Sequence, residues 1–380
     1  MTTTLIACDK FKGSLTAAEV CAAVEAGIRS ASPETEVISI PIADGGDGTA
    51  AAAVSAGYEE VTATVTGPSG QPVTASFALD RPGGTAVVEM ARASGLLRLT
   101  DGVPNPLGAT SFGTGELVQA ALDAGARTII LAVGGSASTD GGAGFLQALG
   151  AALTRSDGSA LGQGGGALGD LAAVNLDTLD PRLAGCELIL ASDVDNPLLG
   201  SQGAAAVYAP QKGANESEVR LLEQGLQHYV EMLRAAGLPP GAENLPGAGA
   251  AGGVGFAAQC VLGATTRAGV DVVMEITGYR AALSGLTDGD LVITGEGSLD
   301  TQTLNGKAVS GIARAARNAG VPVVAVCGQR QLASLDLARI GVRGAYALTD
   351  REAHIDRCIS AAAALLTSAA EELAREWIKK

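Results

Sequence analysis

Residues 2–42, TTTLIACDKFKGSLTAAEVCAAVEAGIRSASPETEVISIPI, contain the sequence pattern that decides the fold. Residues 5–7 predict a short buried strand, and residues 37–42 predict a second one. Between them, a Thr-x-x-Glu capping box at Thr16 predicts a helix that runs to about residue 30. The apolar side chains of this helix recur every four residues and would bury against a sheet, so the stretch predicts a β-α-β unit.

The end of the chain repeats this pattern. Short apolar runs predict strands at residues 291–294, 321–328 and 345–348, with a helix at about 307–319 between the first two. A closing helix at about 356–378 would place an apolar face against a sheet. The two ends of the chain together therefore predict one α/β layer, a doubly wound parallel sheet of five strands.

The middle of the chain has a different pattern. From residue 61, alternating side chains on either side of a Gly-Pro turn predict an antiparallel hairpin. Further strands are predicted near residues 86–90, 128–133 and 187–192. We therefore expect an inserted second domain of mixed α/β structure at residues 61–285, and a first domain made of residues 1–60 and 286–380.

Composition and charge exclude several classes of partner. The chain has 380 residues with 53 glycines and 47% apolar residues, which is typical of a tightly turned α/β protein. Its formal net charge of −15 repels polyanions, so we expect no nucleic-acid partner and no membrane partner. Lysines in glycine-rich loops become informative in such an acidic chain, because an anionic substrate would need them. These lysines are Lys10, Lys12, Lys212 and Lys307.

The cysteines and the apolar runs indicate a compartment. The six cysteines have no C-x-x-C spacing and no histidine partner at metal-ligand spacing, so they suggest reduced thiols rather than disulfides or a zinc site. No apolar run approaches the roughly 20 residues that span a bilayer, and the N-terminal stretch lacks the pattern of a secretion signal. We therefore expect a cytoplasmic protein.

Residues 128–144, TIILAVGGSASTDGGAG, combine an apolar run with a glycine-rich loop. Glycines allow backbone N–H groups to approach a ligand closely, so the loop suits phosphate. A tight strand-to-helix turn without a ligand is an equal alternative. The same two alternatives apply to the G-x-G-x-x-G at residues 247–252, which follows a Pro-rich turn and therefore fails as a dinucleotide fingerprint.

Acids and lysines also follow the predicted strands of the first domain. They lie in residues 9–14, 43–49 and 295–300, and the carboxyl ends of parallel strands meet at one edge of a sheet, where ligands bind. Phosphoryl transfer uses carboxylates to hold Mg²⁺ and ammonium groups to neutralise the moving phosphoryl group. In the inserted domain, residues 193–196 add acids and an amide, and Lys212 lies in a turn. There is no P-loop and no G-x-S-x-G elbow in the sequence.

The chain resembles the type I glycerate kinase family over essentially its full length. The resemblance is carried by these blocks, in the family's order: DKFKGSLTAAEV, PIADGGDGT, VEMARASGL, ATSFGTGEL, GGSASTDGGAG, ASDVDNPLLG, APQKGA, PGAGAAGGVGF and ITGEGSLDTQT followed by GKA. Asp47 stands where such blocks often have Glu, and Lys10 where many have Ser. The resemblance implies a flavodoxin-like first domain and ATP-dependent, Mg²⁺-dependent phosphorylation of D-glycerate, with the 2-hydroxyl as acceptor and 2-phosphoglycerate as product.

The resemblance also suggests roles for individual residues. The expected nucleotide-binding residues are Gly134, Gly135, Ser136, Ser138 and Asp140, which would form a cradle for phosphates, together with Glu296. Lys12 and Ser14 are expected to engage the glycerate carboxylate, and Asp44 and Asp47 to hold hydroxyls or metal. Asp193 is the expected base or Mg²⁺ ligand, and Lys212 and Lys307 would stabilise the transferred charge.

Two other functions remain open from the sequence. The chain is also compatible with a kinase for another small hydroxy acid, because loop glycines report phosphate better than they report a carbon skeleton. A non-catalytic sensor of a phosphorylated acid is a further alternative, and it leaves the loop acids and lysines without a chemical task. A homodimer is compatible with the sequence, which does not determine the oligomeric state.

The role of Asp193 gives a first prediction. We expect Asp193→Asn to keep the fold, because the amide is nearly isosteric, and to abolish Mg²⁺-dependent activity, because a charged oxygen ligand is lost. ADP release measured over a range of Mg²⁺ concentrations, with circular dichroism to check folding, tests this. Normal turnover by the variant would show that Asp193 is not the metal ligand.

Overall fold

A computed structural model of the chain describes residues 2–305 and 307–378. It divides into two compact units, the first made of residues 1–57 and 268–380 and the second of residues 58–267. Each unit is built around its own parallel-containing sheet, which confirms the expected α/β class with a five-stranded parallel sheet formed by both ends of the chain.

The described residues form strands that are numbered along the chain. They are β1 (Thr3–Cys8), β2 (Glu36–Ser39), β3 (Glu59–Thr66), β4 (Pro72–Asp80), β5 (Thr85–Glu89), β6 (Thr128–Ala132), β7 (Ala152–Thr154), β8 (Ala173–Asn175), β9 (Glu187–Ala191), β10 (Thr265–Arg267), β11 (Leu291–Leu299), β12 (Val323–Arg330) and β13 (Val342–Ala347).

The α-helices of the same residues are numbered in the same way. They are α1 (Ala17–Ala31), α2 (Thr49–Ser55), α3 (Met90–Ser94), α4 (Phe112–Asp123), α5 (Ala143–Ala148), α6 (Ala204–Tyr208), α7 (Glu216–Ala235), α8 (Val254–Phe256), α9 (Gly269–Ile276), α10 (Tyr279–Ser284), α11 (Ala308–Asn318), α12 (Ser334–Ile340), α13 (Ile355–Ser360) and α14 (Ala362–Trp377).

The sheet of the first unit has the strand order β13-β12-β11-β1-β2, and all four pairings are parallel. In chain order this is 2-1-3-4-5, the order of a flavodoxin-like fold. Successive side chains of β1 enter two different cores: Leu5 packs with Val292 on one face, and Ile6 packs with Ile293 on the other. Helices therefore cover both faces, which explains why these strands are apolar runs rather than alternating ones.

The first helix confirms its sequence pattern in detail. The Thr16 side chain accepts a hydrogen bond from Glu19 N, and the Glu19 side chain accepts one from Thr16 N, so the capping box is complete. The closing helix differs from the prediction, because it breaks at Ala361 into α13 and α14. Ile359 lies before the break and is 45% exposed, so this apolar residue does not belong to the face that packs on the sheet.

The boundary after the inserted segment also differs from the expected position at residue 285. Helices α9 and α10 belong to the first unit, because Val270, Val273 and Tyr279 are fully buried in the core that contains Leu5 and Val292. The expected boundary placed these residues in the inserted domain, because no local pattern identifies the sheet that buries them.

The sheet of the second unit has the order β10-β9-β6-β5-β4-β3. Strands β5, β6, β9 and β10 are parallel to their neighbours among these four, whereas β4 is antiparallel to both β3 and β5. The mixed sheet and the β3–β4 hairpin agree with the sequence pattern. The glycine-rich loop follows β6 and the loop with Asp193 and Asp195 follows β9. Because these strands are parallel, both loops lie at the same edge of this sheet. Strands β7 and β8 form a separate antiparallel pair.

In the described part of the chain, no helix is both long enough and apolar enough to cross a bilayer.

The packing of α1 against α14 gives a stability prediction. A Cβ added at Gly27 would lie 2.3 Å from the carbonyl oxygen of Thr367 and 2.7 Å from the Ala370 Cβ. Gly→Ala in a helix normally stabilises it by about 0.5–1 kcal/mol, whereas overpacking a core costs about 1–3 kcal/mol. Because a backbone oxygen cannot move aside cheaply, we expect Gly27→Ala to lower the thermal midpoint of the protein.

The exposed Ala22 of the same helix provides the matched control. We expect Ala22→Gly to show only the propensity loss of about 0.5–1 kcal/mol. A higher thermal midpoint for Gly27→Ala would contradict the packing argument.

Candidate active site

The glycine-rich loop of the second unit follows β6 and is held by a neighbouring segment. Leu96 N donates to the carbonyl oxygen of Gly135 at 3.0 Å, and Ala137 N donates to that of Ser94 at 2.9 Å. Gly135 has a φ of +73°, a conformation that favours glycine. The loop is therefore fixed by its backbone on the side of residues 94–96.

The G-x-G-x-x-G segment supports the same loop from another side. Gly252 O accepts a hydrogen bond from Gly141 N at 2.9 Å. Gly252 has a φ of +69°, and a Cβ there would lie 2.2 Å from the carbonyl oxygen of Ser138. Of the two alternatives for this segment, these contacts favour close backbone packing, because the glycine is needed to let the two loops touch.

Asp140 lies beneath the loop and is completely buried. Its carboxylate accepts hydrogen bonds from Ser111 N and Ser111 Oγ, both at 2.8 Å, and from Gly142 N at 3.2 Å. Burial raises the pKa of Asp140, although these donors act in the opposite direction. The expected role of Asp140 was contact with the nucleotide, but its contacts are those of a residue that supports the loop from inside.

Lys212 brings an ammonium group to this loop. It ends a short 3₁₀ turn (Pro210–Lys212) and is only 3% exposed. Its Nζ donates to Ser136 Oγ at 2.9 Å and to the carbonyl oxygen of Ser138. Burial lowers the pKa of Lys212 to about 7, against the opposing charge of Asp140.

Two hydroxyl groups of the glycine-rich loop lack hydrogen-bond partners. Ser138 Oγ and Thr139 Oγ1 are buried and have no hydrogen-bond partner among the described residues. Buried polar groups are normally paired, so an ordered water or a polar ligand would supply the partners that these hydroxyls lack. An anion fits, because it would accept from both the amine and the hydroxyls.

The loop after β9 carries the acids of the second unit. Asp193 and Asp195 are exposed, whereas the Asn196 amide is engaged by the carbonyl oxygen of Gln202 at 2.8 Å and by Tyr208 Oη. Among the described residues, no three His, Cys, Asp or Glu side chains are grouped to hold a metal. Mg²⁺ is commonly held by one or two carboxylates together with substrate phosphates, and Asp193 and Asp195 are donors of that type.

In the first unit, Asp9 directly follows β1 and is 8% exposed. Its Oδ1 accepts from Lys10 N at 2.7 Å and lies 3.7 Å from Lys10 Nζ. Lys10 Nζ also lies 3.9 Å from Asp47 Oδ2. Burial raises the pKa of Asp9 to about 6, the charge of Asp44 raises it further, and Lys10 acts in the opposite direction.

Two predicted substrate-binding residues, Asp44 and Asp47, lie in the loop after β2. Asp44 Oδ1 accepts from Gly46 N at 3.2 Å, and Asp47 is exposed. Gly45 has a φ of +86°, and a Cβ there would lie 2.4 Å from the Cα of Gly269. Glycine at positions 45 and 269 therefore allows the two backbones to pack this closely.

The other two predicted substrate-binding residues, Lys12 and Ser14, lie in the turn after β1. Lys12 is exposed and makes no ion pair among the described residues. Ser14 Oγ donates to the carbonyl oxygen of Ile359 at 3.0 Å. The Ser14 proton is therefore occupied within the protein, and Lys12 is the better donor for a carboxylate.

Glu296 lies on β11 beside Asp9, rather than with the other residues expected to bind nucleotide, which belong to the second unit. Its Oε1 accepts from Thr303 Oγ1 at 2.6 Å. Burial raises the pKa of Glu296 to about 7; Thr303 and Lys307 lower it, and the charges of Asp9 and Asp300 raise it. Lys307 Nζ donates to Gln302 Oε1 at 2.7 Å, and Gly306, which precedes Lys307, lies outside the described residues.

Comparison with known proteins identifies the family. Residues 4–378 match the model of the glycerate kinase family. The chain belongs to the glycerate kinase family. Its relatives include the glycerate kinase of Bacillus subtilis strain 168, which is 42% identical over 97% of this chain and 96% of the relative, and the glycerate 2-kinase of Escherichia coli K12, which is 44% identical over 85% and 84%.

A solved structure agrees with this assignment. A protein designated glycerate kinase 2 from Salmonella typhimurium LT2 superposes with a TM-score of 0.84 at 39% identity, over 99% of this chain and 98% of that one. The resemblance identified from the sequence blocks is therefore confirmed. Membership of the glycerate kinase family makes the chain a kinase, an enzyme that transfers phosphoryl groups.

Sequence reasoning missed two residues of this family member's sites. Ser111 holds Asp140 and also accepts a hydrogen bond from Phe145 N at 2.9 Å, but in the sequence it is one hydroxyl in the block ATSFGTGEL. Asp9 belongs to the group of acids and lysines predicted at the edge of the first sheet, but the sequence assigns it no individual role. Its burial depends on residues of β2 and β11 that are distant in the chain, so no local pattern signals it.

The burial of Lys212 predicts how stability changes with pH in this glycerate kinase family member. The pKa is about 7 in the folded protein and about 10.4 in an unfolded chain. Below pH 7 the folded state carries the full cost of a buried cation, and this cost is relieved as pH rises towards 10. We expect Lys212→Met to be more stable than wild type at pH 7, by a margin that shrinks by up to about 1.4 kcal/mol per pH unit.

Urea unfolding of both proteins at pH 7, 8 and 9 measures this margin. Lys12→Met, which removes a positive charge from an exposed position, is the control. A margin that is independent of pH, or a variant that is less stable at pH 7, would contradict the buried cation.

Proposed function

We propose that the chain is an ATP-dependent kinase that phosphorylates D-glycerate on its 2-hydroxyl, with 2-phosphoglycerate and ADP as products. Family membership supports glycerate and ATP as the substrates, and the name of the Escherichia coli relative supports the 2-position. The observation that carries the proposal is the buried amine of Lys212, whose hydrogen bonds within the described residues go to the uncharged oxygens of Ser136 and Ser138. A group of this kind is suited to receive a phosphate.

The nucleotide phosphates are assigned to the second unit. Gly134, Gly135, Ser136 and Ser138 offer backbone N–H groups and hydroxyls, and Lys212 offers a positive charge that develops fully when an anion arrives. Asp140 holds this loop in shape through Ser111. Because phosphoryl transfer has a loose transition state, positioning and charge neutralisation supply most of the catalysis, and no protein nucleophile is required.

Mg²⁺ is assigned to Asp193. Its exposed carboxylate at the carboxyl end of β9 offers the oxygen ligand that Mg²⁺ prefers. When bound, the ion would neutralise charge on the terminal phosphates. Asp195 is the neighbouring acid, but the amide of Asn196 is already engaged and is not available.

Glycerate is assigned to the first unit. Lys12 would bind the carboxylate, and Asp44 and Asp47 would accept hydrogen bonds from the hydroxyls. The oxygen of Ser14 remains an acceptor although its proton is used. Lys307 is the cation of this unit that would stabilise charge during transfer.

One experiment separates this proposal from its rivals. We expect ADP release with D-glycerate and ATP, at a higher kcat/KM than with other small hydroxy acids. Phosphorus NMR of the product then identifies the acceptor, because a phosphate on C2 couples to one proton and appears as a doublet, whereas a phosphate on C3 couples to two and appears as a triplet.

The outcomes are distinct. A triplet would assign the 3-hydroxyl, and a better hydroxy acid in the panel would assign another substrate. Binding of a phosphorylated acid without any ADP release would favour the sensor.

The Lys212 assignment predicts a kinetic effect. Lys212→Met removes the ammonium group with little change in volume, so we expect kcat to fall about a hundredfold, as for loss of one preorganised charge contact. Arg220→Met, on the exposed surface of α7, is the matched control and should turn over like wild type. Unchanged turnover by Lys212→Met would remove Lys212 from the mechanism.

A further inference from the structure

The carboxyl edge of the first unit's sheet carries a pair of buried carboxylates. Cys8 is the register partner of Gly295, and Asp9 N donates to Gly295 O at 2.8 Å, so Asp9 and Glu296 are the next residues along adjacent strands. In this 2-1-3-4-5 sheet, β1 and β11 flank the point where the strand order reverses. Open α/β sheets bind their ligands at this point.

Each carboxylate is held through one oxygen by a short contact. Asp9 Oδ1 accepts from Lys10 N at 2.7 Å, and Glu296 Oε1 accepts from Thr303 Oγ1 at 2.6 Å. The two residues are 8% and 9% exposed. Anchoring one oxygen fixes the orientation of a carboxylate and leaves the other oxygen as a proton acceptor.

Two hydroxyls on the same face of β11 lack partners. Thr294, Glu296 and Ser298 alternate along the strand and therefore share one face. Thr294 is fully buried, and neither Thr294 Oγ1 nor Ser298 Oγ has a hydrogen-bond partner among the described residues. Unpaired hydroxyls on both sides of Glu296 indicate that a polar group from outside the chain completes this face.

We propose that Asp9, paired with Glu296, is the catalytic base that accepts the proton of the substrate hydroxyl during phosphoryl transfer. This inference rests on the proposed function. Asp9 lies in the same unit as Lys12, Asp44 and Asp47, which are assigned to glycerate, so the acceptor hydroxyl and the base belong to one structural unit.

The hydroxyl oxygen of glycerate forms a bond to the γ-phosphorus of ATP, the bond from that phosphorus to the β,γ-bridging oxygen breaks, and ADP leaves. The hydroxyl proton moves to the free carboxylate oxygen of Asp9 and is later released to solvent. Asp193 remains the Mg²⁺ ligand, and the base is a separate residue.

The surroundings of Asp9 and Glu296 bring the pKa values of both carboxylates close to neutral pH, where a general base works best. The charged groups that act on Asp9 are Lys10 and Asp44, and those that act on Glu296 are Lys307, Asp9 and Asp300; Cys327 is the register partner of Glu296 on β12. Burial raises the pKa of Asp9 to about 6 and that of Glu296 to about 7. A base must be ionised to act, so kcat should fall by about tenfold per pH unit below pH 6.

Asp9→Asn tests the proposal in the full-length enzyme. We expect kcat to fall by roughly 10²–10⁴-fold, with the KM values for ATP and D-glycerate within about threefold of wild type, and the acidic limb of the kcat profile near pH 6 to disappear. Glu34→Gln, which removes an exposed carboxylate from the same unit, is the control and should retain both kcat and the limb.

Glu296→Gln provides a second readout. Glu296 has a pKa of about 7 and is mostly uncharged where Asp9 titrates, so Glu296→Gln should keep the acidic limb near pH 6 and lose less kcat than Asp9→Asn. If Asp9→Asn fails to fold by circular dichroism, the wild-type limb and its retention in Glu296→Gln decide the question; a limb that disappears in Glu296→Gln would overturn the assignment to Asp9.

Three results would overturn the inference: a wild-type kcat that is flat between pH 5 and 8, an Asp9→Asn variant with normal kcat, or an Asp9→Asn variant that raises only KM. If wild type itself releases no ADP with D-glycerate, the proposed function fails instead, so the two failures are distinguishable.

Discussion

The glycine-rich loop of the second unit is organised around one unfavourable burial, that of the Lys212 amine. The amine contacts a hydroxyl and a carbonyl oxygen, and it has no carboxylate within ion-pair distance among the described residues. A cation in this position costs stability, because desolvation favours its neutral form. Backbone hydrogen bonds fix the loop above the amine, and a bound anion, as proposed for the nucleotide phosphates, would offset the cost of its burial.

Glycine makes this arrangement feasible because it removes side chains from places where loops touch. Gly252 meets the carbonyl oxygen of Ser138 where a Cβ would be 2.2 Å away, and Asp140 ties the loop to Ser111 from inside. In the first unit the buried charged groups are carboxylates instead of an amine. There Asp9 and Glu296 meet at the reversal point of the sheet, and the raised proton affinity comes from burial with a neighbouring charge rather than from a special sequence.

Local patterns predicted the elements well, because their causes are local. The capping box at Thr16 and the apolar repeat of α1 depend on residues within one or two turns. For the candidate site, the sequence predicted which loops take part but not what each side chain contacts. Whether Asp140 faces a ligand or Ser111, and whether Asp9 is exposed or buried, depends on strands distant in sequence. The same limit explains the boundary: α9 has an apolar face, but only the tertiary fold shows that this face packs on the first sheet.

The contact between Gly45 and Gly269 constrains how such a protein can be rebuilt. The chain re-enters the first unit at residue 268, and the backbone of Gly269 lies against the loop that carries Asp44. An engineer who replaces residues 58–267 with a foreign domain must therefore keep glycine at the splice, because even one methyl group there would push on a backbone oxygen of Asp44 at 2.2 Å. The residue at this junction therefore determines whether the loop that carries Asp44 fits. Exchange of residues 58–267 between relatives is restricted to crossovers that keep the contact between Gly45 and Gly269.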